Sequence, residues 1–273
     1  MGSVRLACTL YGPEGGDAVV VLHGFPECGK TWRRVAMRLA REGYRVVAPD
    51  MRGYGGSERP AGVGAYAVRH LVEDVAGLVR ALGLERAHVV GHDWGGVVAW
   101  WTAMLRPDVV ARLGIVNAPH PVAYARALRT ADQLRRSWYV FAFQVPWLAE
   151  WALASRSYAA VRRVFADDGI GEDDIEPCVA AIREPGACTA ALAYYRAAFR
   201  AGVLGSEPAP EVIHLPTLAV WGERDRFLVP SLGEPPREWV DSARVVRLPQ
   251  ATHWAQLDSP ADLARELLAH FRA

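Results

Sequence analysis

The sequence predicts an α/β protein: a mostly parallel sheet flanked by helices on both faces, carrying an inserted helical block. Three observations predict it. Short apolar runs bounded by turn residues alternate with stretches of helical spacing through residue 118. From Pro119 to His214 the strand-like runs disappear and only helical sequence remains. After Pro216 the alternation returns and runs to the C-terminus. The 273 residues therefore divide into a core, 1–118 and 215–273, and a helical insert, 119–214.

Residues 4–11 alternate weakly and read as an edge strand, followed by the turn cluster Gly12-Pro13-Glu14-Gly15-Gly16. Residues 18–22 are apolar throughout, as in a strand buried on both faces. Residues 31–41 have helical spacing and close at Gly43; 44–48 are a second buried strand. An amphipathic helix at 66–82 closes at Gly83, a third strand follows at 87–90, and residues 91–96 make a sharp turn. An apolar helix at 97–105 stops before Pro107, and 112–116 are a fourth strand. The insert reads as helices at 124–136, 138–155, 158–165, 172–182 and 189–201. Strands at 217–221 and 242–248 and a helix at 261–271 complete the core.

Composition narrows the function. Hydrophobic residues are 51% and charged residues 22%, which excludes disordered and collagen-like classes. The net charge is +1, so no basic face for nucleic acid is expected. Residues 138–154 are the most apolar stretch, but Gln144, Pro146 and Glu150 interrupt it and it falls short of the roughly 20 residues of a membrane span. Cys8, Cys28, Cys178 and Cys188 lack C-x-x-C spacing and read as reduced thiols of a cytosolic protein. Residues 1–12 carry no secretion signal, so a cytoplasmic location is expected. Arg52-Gly53-Tyr54-Gly55-Gly56-Ser57-Glu58 begins like a dinucleotide-binding loop but ends on Glu58, and no motif implies a cofactor or a metal.

The sharpest chemical signal is Gly91-His92-Asp93-Trp94-Gly95-Gly96 between a strand and a helix. Small residues on both sides permit a tight turn that holds the middle side chain out. Asp93 occupies that place, where a Ser is common. A carboxylate is ionised at neutral pH and needs no base to attack as a nucleophile; the alternative is an Asp capping an ordinary helix. His23-Gly24-Phe25-Pro26-Glu27 follows a buried strand. Its backbone N–H can join that of Trp94 as an oxyanion hole; the alternative is a turn with a structural His. Asp225 follows one late strand and His253 the last, so the order is acidic nucleophile, Asp, His. Asn117, after the fourth strand, is not an acid, which makes Asp225 the better third member.

These blocks, with Asp50-Met51-Arg52-Gly53-Tyr54-Gly55-Gly56-Ser57, Asn117-Ala118-Pro119-His120-Pro121 and His253-Trp254, resemble α/β-hydrolases of the epoxide hydrolase and haloalkane dehalogenase group. The resemblance covers nearly the whole chain and is weakest in the insert. It implies the α/β-hydrolase fold, with the insert as a cap and substrate held between cap and core.

The resemblance also implies chemistry. Two cap tyrosines hold the epoxide oxygen in such enzymes, and Tyr139 and Tyr195 fall where those would be; Tyr194 competes for the second role, and core packing is the alternative for both. Asp93 would open the epoxide and become an ester, Phe25 and Trp94 would supply the oxyanion hole, and His253, oriented by Asp225, would activate water. The expected partners are a small apolar epoxide and water, lined by Phe25, Trp94, Trp138, Tyr139, Tyr195 and Trp254. Trp147 and Trp151 are expected to add to that apolar cleft, whereas Trp100 and Trp101 read as core. A dehalogenase using the same nucleophile is the first rival, and a hydrolase-fold binding or signalling module the second. Monomer and homodimer both remain open.

Overall fold

All five residues of β2 (Ala18–Leu22) are buried because helices cover both faces of its sheet. Val19 and Val21 enter one hydrophobic cluster and Val20 and Leu22 the other, the alternation a strand imposes. The computed structural model describes residues 4–205 and 208–273. The other strands are β1 (Cys8–Tyr11), β3 (Arg45–Pro49), β4 (Ala87–His92), β5 (Val110–Val116), β6 (Thr217–Gly222) and β7 (Ala243–Leu248). They form one seven-stranded sheet in the order β1-β3-β2-β4-β5-β6-β7. Only β1 runs antiparallel, against β3.

The core helices are α1 (Arg33–Arg41), α2 (Val68–Ala81) and α3 (Trp94–Leu105). Six more lie between β5 and β6: α4 (Pro121–Ala127), α5 (Ala131–Arg136), α6 (Trp138–Ala142), α7 (Leu148–Ala166), α8 (Glu172–Arg183) and α9 (Ala187–Leu204). The short α10 (Ala255–Asp258) and α11 (Pro260–Arg272) follow β7. Val35, Leu39, Leu263 and Leu267 of α1 and α11 pack on one face of the sheet with Val19 and Val21. Leu71, Val75, Val98 and Trp100 of α2 and α3 pack on the other. Trp100 and Trp101 are buried core residues, as their place on an apolar helix predicts.

Several boundaries differ from the sequence reading. The edge strand is confined to Cys8–Tyr11 because the chain before it turns to the loop ahead of α2. There the Arg5 N–H donates to the Glu58 carboxylate at 2.9 Å and the Ala7 N–H to Ser57 Oγ at 2.9 Å. The single helix expected at 124–136 is two, and Thr130 caps the second by accepting the Gln133 N–H at 3.4 Å. The stretch 138–155 also breaks, at Pro146, which has no N–H to continue a helix. The α7 path leaves helical geometry at Ser155, Arg156, Ser157 and Tyr158, where the sequence reading separates two helices. Among the described residues no helix is long and apolar enough to cross a membrane.

The parallel arrangement decides where chemistry can occur. The carboxyl ends of β2, β4, β5, β6 and β7 meet along one rim, and each is followed by a loop bearing one of the candidate residues.

Candidate active site

Asp93 is the one residue between β4 and α3, and its backbone stands at φ 49° and ψ −121°. A residue with a Cβ is strained at such positive φ, so its surroundings must hold it. A Cβ at Gly91 would lie 2.1 Å from the Gly95 carbonyl oxygen, and one at Gly95 would lie 2.3 Å from that of Leu22. Only glycines permit this approach of strand, turn and helix. The Asp93 side chain makes no capping hydrogen bond to α3, so the helix-capping alternative has no geometric support.

The two Asp93 oxygens are unequal. Oδ1 accepts the Phe25 N–H at 2.8 Å, while Oδ2 faces His253 Nε2 at 3.7 Å. The Trp94 N–H is at the first position of α3, where no intrahelical partner exists. His253 Nδ1 donates to Asp225 Oδ2 at 2.7 Å. Asp225 is itself braced: Oδ1 accepts the N–H groups of Phe227 (2.8 Å) and Leu228 (3.1 Å), and Oδ2 also accepts Asn117 Nδ2 at 2.8 Å. Asn117 therefore serves the acid rather than replacing it. Its own Oδ1 accepts the Gly222 N–H at 2.9 Å.

Burial alone would raise the Asp225 and Asp93 carboxyls, but neighbouring charge and hydrogen bonds bring both below the ordinary range. His253 supplies the largest opposing effect in each case, joined by Asn117 for Asp225 and by His92 and the Phe25 N–H for Asp93. Burial pulls His253 down, yet its two carboxylate neighbours push it up to about 10.

A fully buried layer lies beneath. Glu27 Oε2 accepts the Gly24 N–H at 2.5 Å and His92 Nδ1–H at 2.7 Å, and Gln256 donates to Oε1. His92 Nε2 reaches the His253 carbonyl oxygen at 2.9 Å. The Phe25 turn, the Asp93 elbow and the His253 loop are thus tied together. His23 is structural: its Nε2 accepts the Met51 N–H at 2.9 Å, and its Nδ1 faces the Gly24 carbonyl at 2.8 Å.

Above the carboxylate stand aromatic rings. Tyr139 on α6 and Tyr195 on α9 have ring centroids 6.1 Å apart. Tyr195 meets Phe25 at 5.4 Å and Trp94 at 5.1 Å. Phe143 bridges Tyr139 (5.6 Å) and Tyr195 (5.1 Å), and Phe227 links Tyr139 (6.2 Å) to His253 (5.1 Å). Burial first, then the Asp93 charge and neighbouring phenols, raise both tyrosines well above their ordinary value, so each keeps its proton. Tyr194 points elsewhere and donates to the Arg52 carbonyl at 2.7 Å.

The other predicted lining residues fare differently. Trp138, Trp147 and Trp151 are 67%, 84% and 69% exposed, so they face outward instead of forming an apolar cleft. Trp254 is fully buried, and its indole N–H donates to Asp168 at 3.0 Å. Sequence reasoning missed Phe143, Phe227, Glu27, His92 and Gln256. Phe143, four residues after Tyr139, shares its helical face, which is a readable signal; Gln256 has none, since only the fold brings it to Glu27. Among the described residues no three His, Cys, Asp or Glu group to hold a metal ion.

Residues 17–163 match the family model of the alpha/beta hydrolase fold. The chain belongs to the α/β-hydrolase family. Within the family it is 34% identical to AB hydrolase superfamily protein YfhM of Bacillus subtilis, over 98% of this chain and 95% of that one. It is 35% identical to epoxide hydrolase 3 of Xenopus tropicalis, over 95% of this chain and 72% of that protein. The structure of Bacillus megaterium epoxide hydrolase in complex with an inhibitor aligns with a TM-score of 0.90 at 29% identity, covering 99% of this chain and 98% of that one.

Proposed function

We propose that this protein hydrolyses epoxides to vicinal diols through a covalent ester on Asp93, with residues 119–214 as a cap over the core. The single observation that carries the chemistry is the pair of phenols, Tyr139 and Tyr195, whose rings meet edge to face with centroids 6.1 Å apart; burial and the nearby Asp93 charge favour their protonated forms. Opening an epoxide leaves an alkoxide, and two neutral donors are what an alkoxide needs. The epoxide hydrolase names of the relatives support the same reading.

In the first half-reaction Asp93 Oδ2 attacks an epoxide carbon, while Oδ1 stays on the Phe25 N–H. The C–O bond breaks, its electron pair passes to oxygen, and a tyrosine proton follows. The ester carries no charge, so His253 loses one of the two carboxylates that raise its proton affinity. The proton it then sheds restores the tyrosine that gave its own to the new hydroxyl. Neutral His253, still held by Asp225, takes a proton from water, and the hydroxide attacks the ester carbonyl. The oxyanion rests on the Phe25 and Trp94 N–H groups; collapse expels the alkoxide, which takes the proton of the new Asp93 carboxyl, leaving the diol, ionised Asp93 and protonated His253.

The test is one turnover of styrene oxide in ¹⁸O water, followed by mass analysis of the peptide that contains Asp93. Label in that peptide is the expected result. Label in the diol alone would mean direct attack of water on the epoxide and would end the ester reading. A parallel arm with fluoroacetate separates the dehalogenase: halide release without diol formation would replace the epoxide as substrate.

A further inference from the structure

We infer that Asp168, a residue of the helical insert, is a positioning residue that locks the two loops of the catalytic base into register. The inference rests on the ester reading above. Asp168 lies just beyond α7, and its side chain is only 7% exposed. One carboxylate oxygen, Oδ2, accepts the Trp254 indole N–H at 3.0 Å. The other, Oδ1, pairs with Arg226 Nε at 3.0 Å. Trp254 directly follows His253, and Arg226 directly follows Asp225. A single insert carboxylate therefore grips the neighbour of each member of the acid–base pair.

The surrounding contacts make this clamp stiff. Arg226 also donates to the Val164 carbonyl at 2.6 Å, and its guanidinium stacks over Phe227 at 4.7 Å. The Phe165 ring lies 4.4 Å from Trp254, and the rings of Phe227 and Trp254 lie 5.1 and 4.9 Å from that of His253. Arg226 also lies 3.6 Å from Asp167, but Asp168 alone touches both partners, and a buried carboxylate is costly to leave half-paired, so it couples the positions of Trp254 and Arg226. The consequence is specific to one half-reaction. The Asp93 elbow and the Phe25 turn are held by the Glu27 layer, which Asp168 does not touch and which meets the His253 loop at its backbone carbonyl, on His92 Nε2 at 2.9 Å. The His253–Asp225 contact at 2.7 Å is what Asp168 serves. Seating of the insert on the core and orientation of the base are thus one event.

The test uses Asp168→Ala, which loses both contacts, and Asp168→Asn, which keeps an acceptor for Trp254 and loses the charge opposite Arg226. Stopped-flow tryptophan fluorescence on styrene oxide separates ester formation from ester hydrolysis. Misplacing a catalytic group by about 1 Å costs about 100-fold, so ester hydrolysis should slow by roughly 10- to 100-fold in Asp168→Ala and less in Asp168→Asn. Ester formation should change by no more than about 2-fold in either, because the nucleophile is held by other residues. The acid limb of the hydrolysis rate should also move to lower pH, since a loosened Asp225 holds the His253 proton less tightly, beside the Asp93 ester and the His92 ring. Equal loss in both half-reactions, following the fall in melting temperature, would reduce Asp168 to a structural residue and overturn the inference. An unchanged hydrolysis rate and pH profile in Asp168→Ala would do the same. Absence of any ester in the parent enzyme would instead strike the ester reading itself, and the inference with it.

Discussion

Nε2 of His253 lies 3.7 Å from Oδ2 of Asp93, within charge attraction and beyond a hydrogen bond. The gap leaves Oδ2 uncommitted while Oδ1 is fixed by the Phe25 N–H at 2.8 Å. On the proposed ester route, Oδ2 is the oxygen that attacks and Oδ1 the one that becomes the ester carbonyl.

The two carboxylates beside His253, Asp225 first and then Asp93, make stability depend on pH. His253 binds its proton more tightly in the folded protein, at about 10, than the ordinary value of 6.5 allows in the unfolded chain. Below 6.5 both states hold the proton and the full stabilisation is present; as pH rises towards 10 it is lost. Melting temperature should therefore fall between those limits, and more steeply in the parent protein than in His253→Gln. Parallel slopes by differential scanning calorimetry would remove His253 as the source.

The two phenols give a kinetic prediction. On the proposed route, Tyr139→Phe and Tyr195→Phe would each remove one donor to the developing alkoxide. Each should lower the rate of ester formation by about 10- to 100-fold, and the double substitution by more, with ester hydrolysis changed far less. Single-turnover kinetics on styrene oxide reads both steps. A loss confined to ester hydrolysis would assign the phenols to the wrong half-reaction.

Some of this was legible in the sequence and some was not, for physical reasons. Asp93, Asp225 and His253 follow strands whose apolar runs are readable, and parallel strands bring such loops to one rim, where the side chains meet at 2.7 and 3.7 Å. Gly91 and Gly95 signal a tight turn by composition alone. The insert is harder. Trp138 and Tyr139 are adjacent, yet one is exposed and the other faces the site, because α6 is only five residues long and no extended periodicity sets its phase. Gln256 and Asp168 act through partners distant in sequence, and no local pattern announces a buried hydrogen bond.

Glu27 tests the buried layer. Its carboxylate accepts from Gly24, His92 and Gln256, and all four residues are buried. Glu27→Ala takes the acceptor from the Gly24 N–H and leaves His92 and Gln256 only each other, 3.1 Å apart, and should cost about 3 kcal/mol or more of stability. Urea denaturation measures it. A change below about 1 kcal/mol would mean the layer tolerates loss of its centre, as exposed pairs do.

Two identical substitutions at different glycines should have opposite signs. A Cβ at Gly95 would sit 2.3 Å from the Leu22 carbonyl oxygen and 2.6 Å from that of His23. Both are backbone atoms of β2 and the oxyanion turn, so neither can rotate away. Gly95→Ala must push the elbow from the turn, stretching the Phe25–Asp93 contact, at a cost of at least ~2 kcal/mol and most of the activity. Gly77 lies inside α2, where an added methyl would meet nothing within 4 Å and φ is not positive. There Gly77→Ala should add roughly 0.5–1 kcal/mol, because alanine restricts the unfolded chain and favours the helix. Thermal melts of the two proteins side by side, with styrene oxide turnover, decide the matter: a stabilised Gly95→Ala would refute the tight elbow, and a destabilised Gly77→Ala the open helix face.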